Sequence, residues 1–74
     1  MPITQESGGS AVDRAQEAQR IIVEMGLIGR VEDMSLRDRG FVERLADQLE
    51  RYGDLCFVSP KQVFWLRDLA ERHL

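Results

Sequence analysis

The sequence predicts an all-α protein, a compact three-helix bundle preceded by a flexible N-terminal tail. Apolar residues recur at helical spacing in three segments of the 74-residue chain. A serine stands before each segment, where its hydroxyl can cap a helix. A glycine follows the first and the second segment, where it favours helix termination. We therefore expect residues 1–10 to form the tail and residues 11–74 to form a single three-helix domain.

The composition is typical of one small, soluble helical domain. Apolar residues make up 43% of the chain, which is too many for a disordered protein. The net charge of −3 argues against direct binding of nucleic acid, because such proteins normally carry a basic excess that neutralises phosphates. The apolar runs are far shorter than the ~18 residues of a membrane span. We expect a cytoplasmic protein, a monomer or weak homo-oligomer, without membrane contact.

No motif in the sequence indicates catalysis, a metal site or a cofactor. Cys56 is the only cysteine, which excludes an internal disulfide, and its apolar neighbours predict a small buried core residue. His73 is the only histidine and lies next to the C-terminus. A glycine-rich nucleotide loop, a nucleophile elbow and an HExxH sequence are all missing. We therefore expect no enzymatic activity, no metal and no cofactor.

The first predicted helix covers residues 11–25. Ser10 is its expected N-cap, and Gly26 is its expected stop, with Leu27 folding back on the helix as in a Schellman motif. Residues 29–34 are expected to form a short polar connection. The predicted buried stripe excludes Ile21 and comprises Val12, Ala15, Ala18, Ile22, Val23 and Met25.

The second predicted helix begins after Ser35, with Asp38 as its capping partner, and ends at Gly53. At about 100° per residue, its inner face comprises Phe41, Leu45, Gln48, Leu49 and Tyr52, with Val42 on the flank. The opposite face carries an acidic line of Glu43, Asp47 and Glu50, which Asp54 continues just past the stop, beside an arginine row of Arg37, Arg44 and Arg51. This face is either solvated, with weak pairs such as Asp47–Arg51, or a partner-binding surface.

Four start signals place the third predicted helix after Ser59. Ser59 can cap it, Pro60 suits its first position, and Gln62 can complete a capping box. Val58 and Val63 can form a hydrophobic staple.

The predicted core also takes residues from the connection before this helix. Leu55 and Phe57 are expected to insert there. The expected inner side of the helix comprises Gln62, Trp65, Leu66, Leu69, Ala70 and His73. Gln62 and Gln48 should bond to each other or to the backbone of residues 53–59, since an unpaired buried amide costs ~1–3 kcal/mol. Phe64 points away from this side, so it either packs under the first helix or is an exposed anchor for a partner.

A helix-turn-helix regulator of DNA is an alternative, because the spacing of the last two predicted helices permits it. A recognition helix presents Arg, Lys, Asn or Gln along its outer face. The outer face here comprises Lys61, Phe64, Arg67, Asp68 and Glu71. Two of these residues are acidic and would repel phosphate.

The C-terminal half carries a sequence pattern that spans both later helices. The pattern is Phe41-x3-Leu45-x2-Gln48-x4-Gly53, followed by Ser59-x-Lys61-Gln62-x3-Leu66-x2-Leu69-x2-Arg72. It resembles a pattern in small helical proteins of bacteriophages, some of which are linked to phage DNA recombination. The resemblance covers residues 35–74, and the segment 54–58 is longer than usual. It implies, as one alternative, an accessory protein of phage DNA recombination or replication that binds nucleic acid or a helicase.

The whole chain also resembles type I anti-CRISPR proteins, which are tiny proteins of phages or mobile elements that bind a CRISPR surveillance complex. This resemblance implies a non-enzymatic inhibitor, in the cytoplasm of a bacterial host, that blocks binding of target DNA. Acidic side chains would be attracted to a basic DNA-binding groove, and an exposed aromatic residue would add an apolar anchor. The expected partner-binding residues are Glu43, Asp47, Glu50, Asp54 and Phe64.

Overall fold

Helices form all of the regular structure in the computed structural model, which describes residues 10–74. Helix α1 is Ala11–Gln19 and continues directly into a π-helical turn, Arg20–Glu24. A 3-10 helix, Leu27–Asp33, precedes helix α2, Leu36–Tyr52. A short 3-10 turn, Gly53–Leu55, and an extended segment then lead to helix α3, Pro60–His73. The predicted all-α class is confirmed, whereas the predicted tail lies outside the described residues apart from Ser10.

The predicted number of three helices is too low. Residues 29–34, expected to be a polar connection, lie almost entirely within the 3-10 helix Leu27–Asp33. Leu27 and Val31 are buried there, and burying both requires the segment to coil against the neighbouring helices. A helix with only two inward apolar residues gives too weak a periodic signal to be recognised from sequence. The described residues therefore contain four helical segments, when α1 is counted together with its π turn and α2 together with the 3-10 turn that follows it.

The predicted helix ends are confirmed by their local chemistry. The hydroxyls of Ser10, Ser35 and Ser59 accept hydrogen bonds from the N–H three residues later, at 3.1, 3.2 and 3.2 Å. Gly26 ends the first helical segment with φ at +87°, and Gly53 ends α2 with φ at +56°. Positive φ values of this kind favour glycine, because a side chain would be strained there.

The capping boxes differ between the helices. Those of α1 and α3 are complete, and in α3 the Ser59 N–H donates to Gln62 Oε1 at 2.9 Å. In α2 the Asp38 N–H donates to the Ser35 hydroxyl, but the reciprocal bond from the Ser35 N–H to the Asp38 carboxylate does not form. The Asp38 carboxylate instead accepts the indole N–H of Trp65 at 3.0 Å. A long-range partner on α3 has therefore replaced the local partner predicted for this carboxylate.

The core lies where α1, the 3-10 helix, α2 and α3 meet. Its largest fully buried side chains are Ile22, Leu27, Val42, Val58, Leu66 and Leu69. Val58 and Val63 are both buried, as the predicted staple requires. Trp65 is half-buried and packs against the edge of this core.

The buried face of the first helical segment differs from the prediction. Ile21, which was placed outside the stripe, is buried beside Ile22. Three residues expected in the stripe are exposed: Val12, Val23 and Met25. Val12 lies in the first turn of α1, ahead of any departure from α-helical geometry. The other changes follow from the π turn, in which the Met25 N–H donates to the Arg20 carbonyl five residues back, at 2.8 Å. Such a turn holds more residues than an α turn, so it changes which side chains face the core.

The inner face of α2 is also rotated relative to the prediction. Val42, predicted on the flank, is fully buried together with Leu45 and Leu49. Of the bonds predicted for the two glutamines, only one to the backbone of residues 53–59 forms, from the Ser59 N–H to Gln62 Oε1. Gln48 and Tyr52 are exposed, and within residues 10–74 Gln48 bonds neither to Gln62 nor to that backbone. The cause is the unpredicted 3-10 helix, because α2 packs mainly on that helix and turns its Val42 side inward.

The connection between α2 and α3 has the opposite orientation to the one predicted. Cys56 and Val58 are buried, whereas Leu55 and Phe57 point to solvent. After the 3-10 turn the backbone is extended, so successive side chains alternate between core and surface. The predicted burial of Cys56 is confirmed, and desolvation raises the pKa of its thiol.

Candidate protein-binding surfaces

Glu43 and Asp47 of the acidic line lie on the exposed side of α2. Each carboxylate is paired with an arginine one turn away. Glu43 accepts from Arg39 Nε at 3.1 Å, and Asp47 lies 3.0 Å from Arg51 Nε, as predicted for the second pair. Exposed pairs of this kind contribute about 0.3–0.5 kcal/mol each. They also reduce the negative field that these two residues present to a partner.

The other two acidic residues lie nearer to α1. Asp54 Oδ2 accepts a hydrogen bond from Gln16 Nε2 at 3.2 Å. Glu50 lies at the rim of a groove of about 310 Å³ that Val23 and Ile28 also line. The acidic line therefore continues from α2 to the border of α1.

Phe64 lies on the exposed surface of α3. Of its two predicted environments, the structure therefore has the exposed one and not packing under the first helix. Its side chain is 59% exposed, and the guanidinium of Arg67 lies 5.5 Å from the ring centroid. Contact between α1 and α3 does not need Phe64, because Ala18 and Ile21 of the first helical segment are buried instead. Phe64 is thus available to a partner.

Phe57 is a second exposed aromatic residue, and sequence reasoning missed it as a surface residue. It is 67% exposed, and the guanidinium of Arg14 lies 5.9 Å from its ring centroid. Arg14 Nε also donates to the Val58 carbonyl at 2.6 Å, which ties α1 to the start of α3. A signal was present: a buried Val58 in an extended segment requires its neighbour Phe57 to point outward.

An ion pair joins α1 and α3 beside these aromatic residues. Arg67 donates to Glu17 through two nitrogens, at 2.6 and 2.9 Å. This hydrogen bonding lowers the pKa of Glu17 and raises that of Arg67, with burial partly opposing both shifts. We call Arg14, Phe57, Phe64 and Arg67 the aromatic patch. It combines two exposed rings with two arginines that are held by hydrogen bonds.

The aromatic patch and the acidic line meet α1 on different sides. Arg14 belongs to the patch and Glu17 binds its Arg67, whereas Gln16 contacts Asp54 of the acidic line. The buried stripe of Ala15 and Ala18 lies between these two sides of the helix. Phe64 and the acidic residues therefore form two separate areas rather than one continuous strip.

A third surface feature is the groove between α2 and α3. Phe41 and Trp65 stack there with ring centroids 3.9 Å apart and an interplanar angle of 3°. The guanidinium of Arg37 lies 5.3 Å from the centroid of Trp65, and Arg44 lines the same groove. The space amounts to about 490 Å³, within the range of small binding sites.

Two charged residues on the outer face of α3 make ion pairs within the protein. Arg67 is bonded to Glu17, and Asp68 pairs with Arg72 at 2.9 Å. Of the side chains that a recognition helix would use for DNA, Arg67 is thus already held by a carboxylate.

The described residues show no group arranged for metal binding, since no three His, Cys, Asp or Glu side chains cluster between Ser10 and Leu74. Burial of the Cys56 thiol, with its raised pKa, disfavours the reactive thiolate. None of the helices in this part of the chain combines the length and hydropathy that crossing a lipid bilayer requires.

No protein-family model, curated protein or solved structure matches the chain. The function proposed below therefore rests on the exposed surfaces and on the sequence resemblance.

Proposed function

We propose that the protein is a non-enzymatic, protein-binding inhibitor of the anti-CRISPR type, which binds a CRISPR surveillance complex and blocks its capture of target DNA. The observation that carries protein binding is the aromatic patch. Phe57 and Phe64 expose 67% and 59% of their surface, although both rings would gain free energy from burial. Hot spots of protein–protein interfaces are enriched in aromatic residues and arginine, the two residue types that this patch exposes.

The arginines of the patch support binding through their fixed positions. Arg14 is held by the Val58 carbonyl, and Arg67 is held by Glu17. A side chain that is ordered before binding loses less conformational entropy when the complex forms. The patch is therefore a pre-organised surface with two cations and two apolar rings.

The acidic line is complementary in charge to a basic partner surface, such as one that binds DNA. Its α2 residues, Glu43, Asp47 and Glu50, are exposed. Their negative charge would attract a basic surface during diffusional encounter. Arg39 and Arg51 partly neutralise two of these acids. The line therefore contributes mainly to the association rate, and this contribution decreases with salt.

The proposed mechanism is steric and electrostatic blockade. The aromatic patch anchors the protein on the surveillance complex, and the acidic line occupies positions where DNA phosphates would otherwise bind. Inhibition of this kind makes and breaks no covalent bond, and it needs no cofactor. The identity of the complex comes from the sequence resemblance alone, so it is the first partner to be tested.

The main test measures binding of the protein to purified type I surveillance complexes, together with capture of target DNA by those complexes. We expect Phe57→Ala with Phe64→Ala to weaken binding at least tenfold and to restore DNA capture. The control is Val23→Ala, because Val23 is also 59% exposed but lies in the π turn, where it lines the 310 Å³ groove and not the aromatic patch. Circular dichroism and melting curves establish that each variant is folded. Equal inhibition by the double variant would exclude the patch as the anchor.

A second comparison isolates the acidic line. Glu43→Lys with Asp47→Lys should lower the association rate and its salt dependence, while Glu32→Lys with Asp33→Lys controls for the same charge change on the 3-10 helix. Gel shifts of free duplex and single-stranded DNA at low salt test the alternative function. Clear binding to DNA alone, with steep salt dependence and no binding to a surveillance complex, would favour a recombination or replication accessory protein.

A further inference from the structure

The groove between α2 and α3 differs in charge from the rest of this acidic protein. Within residues 10–74 none of the side chains that line it is acidic, and two are arginines. The groove is about 490 Å³ in volume, and its main lining residues are Arg37, Gly40, Phe41, Arg44, Gln62 and Trp65. We call it the α2–α3 groove. It is separate from both the aromatic patch and the acidic line.

The aromatic residues of the groove form a rigid apolar floor. Phe41 and Trp65 stack at 3.9 Å, so each ring restricts the other. The indole N–H of Trp65 is bonded to Asp38, which fixes the orientation of the ring. The floor is therefore formed before any ligand arrives.

Arg37 and Arg44 provide two cations at a defined distance. They stand one heptad apart on α2, which corresponds to about 10 Å along the helix axis. Within the described residues neither forms a salt bridge, whereas Arg39, Arg51 and Arg67 all do. Gln62 adds donors, because its Oε1 is engaged by the Ser59 N–H and its Nε2 can donate. The groove therefore favours carboxylates or other anions.

Gly40 lies between the two arginines, in the interior of α2. Glycine destabilises a helix interior relative to alanine. The fold does not require it, because a Cβ at this position would meet nothing within 4 Å and the backbone φ is not positive. Its effect is to keep the space between Arg37 and Arg44 open. A glycine that weakens a helix and has no packing role is expected at a functional position.

We propose that the α2–α3 groove binds an acidic amphipathic segment of a partner protein. Two carboxylates about 10 Å apart would pair with Arg37 and Arg44, as residues seven apart on a helix can do. An apolar side chain between them would pass Gly40 and pack on Phe41 and Trp65. Peptide binding in the groove does not depend on the proposed inhibitor function. It concerns a different surface, and its partner is acidic, whereas the inhibited complex would present a basic surface.

The charge around the groove favours a protein segment over a nucleic acid. A nucleic-acid strand carries a phosphate at every nucleotide, and it needs a continuous basic track. Here Arg44 stands between two exposed acidic residues of α2, Glu43 before it and Asp47 after it. A short segment with two carboxylates matches the cations and avoids these acids.

The test uses the full chain and a synthetic alanine-based helical peptide with two glutamates seven residues apart and a leucine midway between them. Binding is followed by fluorescence anisotropy of the labelled peptide and by the emission of Trp65, the only tryptophan in the chain. We expect binding that changes the Trp65 emission and weakens at least tenfold when glutamine replaces both glutamates. Equal binding of the two peptides, or no binding at millimolar concentration, would overturn the proposal.

Variants of the protein locate the binding to the groove. Arg44→Glu reverses one cation, and Gly40→Leu fills the opening from a position with free space around it. Both variants should bind the acidic peptide at least tenfold more weakly. The control is Arg30→Glu on the exposed 3-10 helix, which makes the same charge change elsewhere and should not change the affinity. Melting curves verify the fold of each variant. Wild-type binding by Arg44→Glu would overturn the proposal.

Parallel measurements test two other possible ligands of the α2–α3 groove, a nucleic-acid strand and a second copy of the protein. A labelled 15-nucleotide oligothymidylate that binds more tightly than the acidic peptide, and loses binding in Arg44→Glu, would show a nucleic-acid site and overturn the proposal. Sedimentation of the protein alone tests a second copy as the occupant. A dimer that dissociates in Arg44→Glu would also overturn it, whereas a monomer with peptide binding supports it.

Discussion

Glu17 of α1 and Arg67 of α3 form a bidentate ion pair across fifty residues of sequence, with nitrogen–oxygen distances of 2.6 and 2.9 Å. The pair holds the two helices that flank the aromatic patch, and Arg67 also lies over the ring of Phe64. One salt bridge thus links the packing of α1 to the surface that we propose as a binding site. The pair is partly exposed, so we expect it to add about 0.5–1 kcal/mol to stability.

The stability of the protein should depend on pH through the Glu17–Arg67 ion pair. Hydrogen bonding from Arg67 lowers the pKa of Glu17 below its ordinary value of 4.5. The stabilisation is therefore complete above about pH 4.5 and decreases as the pH falls through the lowered pKa. We expect the difference in unfolding free energy between wild type and Glu17→Gln to shrink between neutral pH and pH 3. Urea unfolding at a series of pH values measures it.

The control for this experiment is Glu32→Gln, which removes a carboxylate without touching Arg67. It corrects for the general effect of losing one negative charge in an acidic protein. A stability difference between wild type and Glu17→Gln that stays constant from pH 7 to pH 3 would contradict the proposed origin of the effect.

The contribution of Trp65 should divide into a packing part and a hydrogen-bonding part. Trp65→Phe keeps an aromatic ring near Phe41 but loses the bond to Asp38, which should cost about 1 kcal/mol of unfolding free energy. Trp65→Ala also loses the stacked ring and should cost about 3 kcal/mol, near the lower end for large aromatic truncations because the ring is half-buried. Thermal and urea unfolding measure both. Equal losses in the two variants would mean that the ring packing contributes little.

The ends of the helices could be predicted from sequence because their chemistry is local. Ser10, Ser35 and Ser59 cap through bonds to the N–H three residues later, and Gly26 and Gly53 adopt positive φ at the stops. All of these interactions involve near neighbours in the chain. Tertiary contacts can change them only by offering a stronger partner, as Trp65 does for Asp38.

The buried faces could not be predicted fully because they depend on contacts between segments. A π turn after Gln19 and a 3-10 helix before α2 leave no clear periodic signal, yet they turn Ile21 and Val42 into the core. Within the candidate sites, exposure of Phe64 depended on how α1 docks, and the stacking of Phe41 on Trp65 depended on two helices meeting. The charged residues of α2 could be assigned to their face from the sequence. Long-range partners could not be predicted, such as Gln16 for Asp54 in the 3-10 turn after α2.

Two glycines should respond in opposite ways to the same substitution. Gly40→Ala should raise the unfolding free energy by about 0.5–1 kcal/mol, because alanine favours the helix and its Cβ meets open space. Gly26→Ala should lower it by about 1–2 kcal/mol, because φ at Gly26 is +87° and alanine is strained there. Differential scanning calorimetry of both variants measures the contrast. Destabilisation by Gly40→Ala would show an unrecognised constraint at the groove.

The orientation of the segment between α2 and α3 decides whether Phe57 belongs to the aromatic patch. Phe57 is 67% exposed and Val58 is fully buried, although they are neighbours in the chain. Phe57→Ala should therefore change the unfolding free energy by less than about 0.5 kcal/mol. Val58→Ala should cost about 1.5–2.5 kcal/mol, since it deletes buried methyl groups and leaves a cavity.

Alkylation of Cys56 gives an independent measurement of the same orientation. The thiol is buried and its pKa is raised, so iodoacetamide should react slowly with the native protein and at the rate of a free thiol in urea. A large loss of stability in Phe57→Ala, together with fast alkylation of native Cys56, would show that Phe57 and Leu55 point inward. The alternation of the segment would then be reversed, and the aromatic patch would reduce to Phe64 and Arg67.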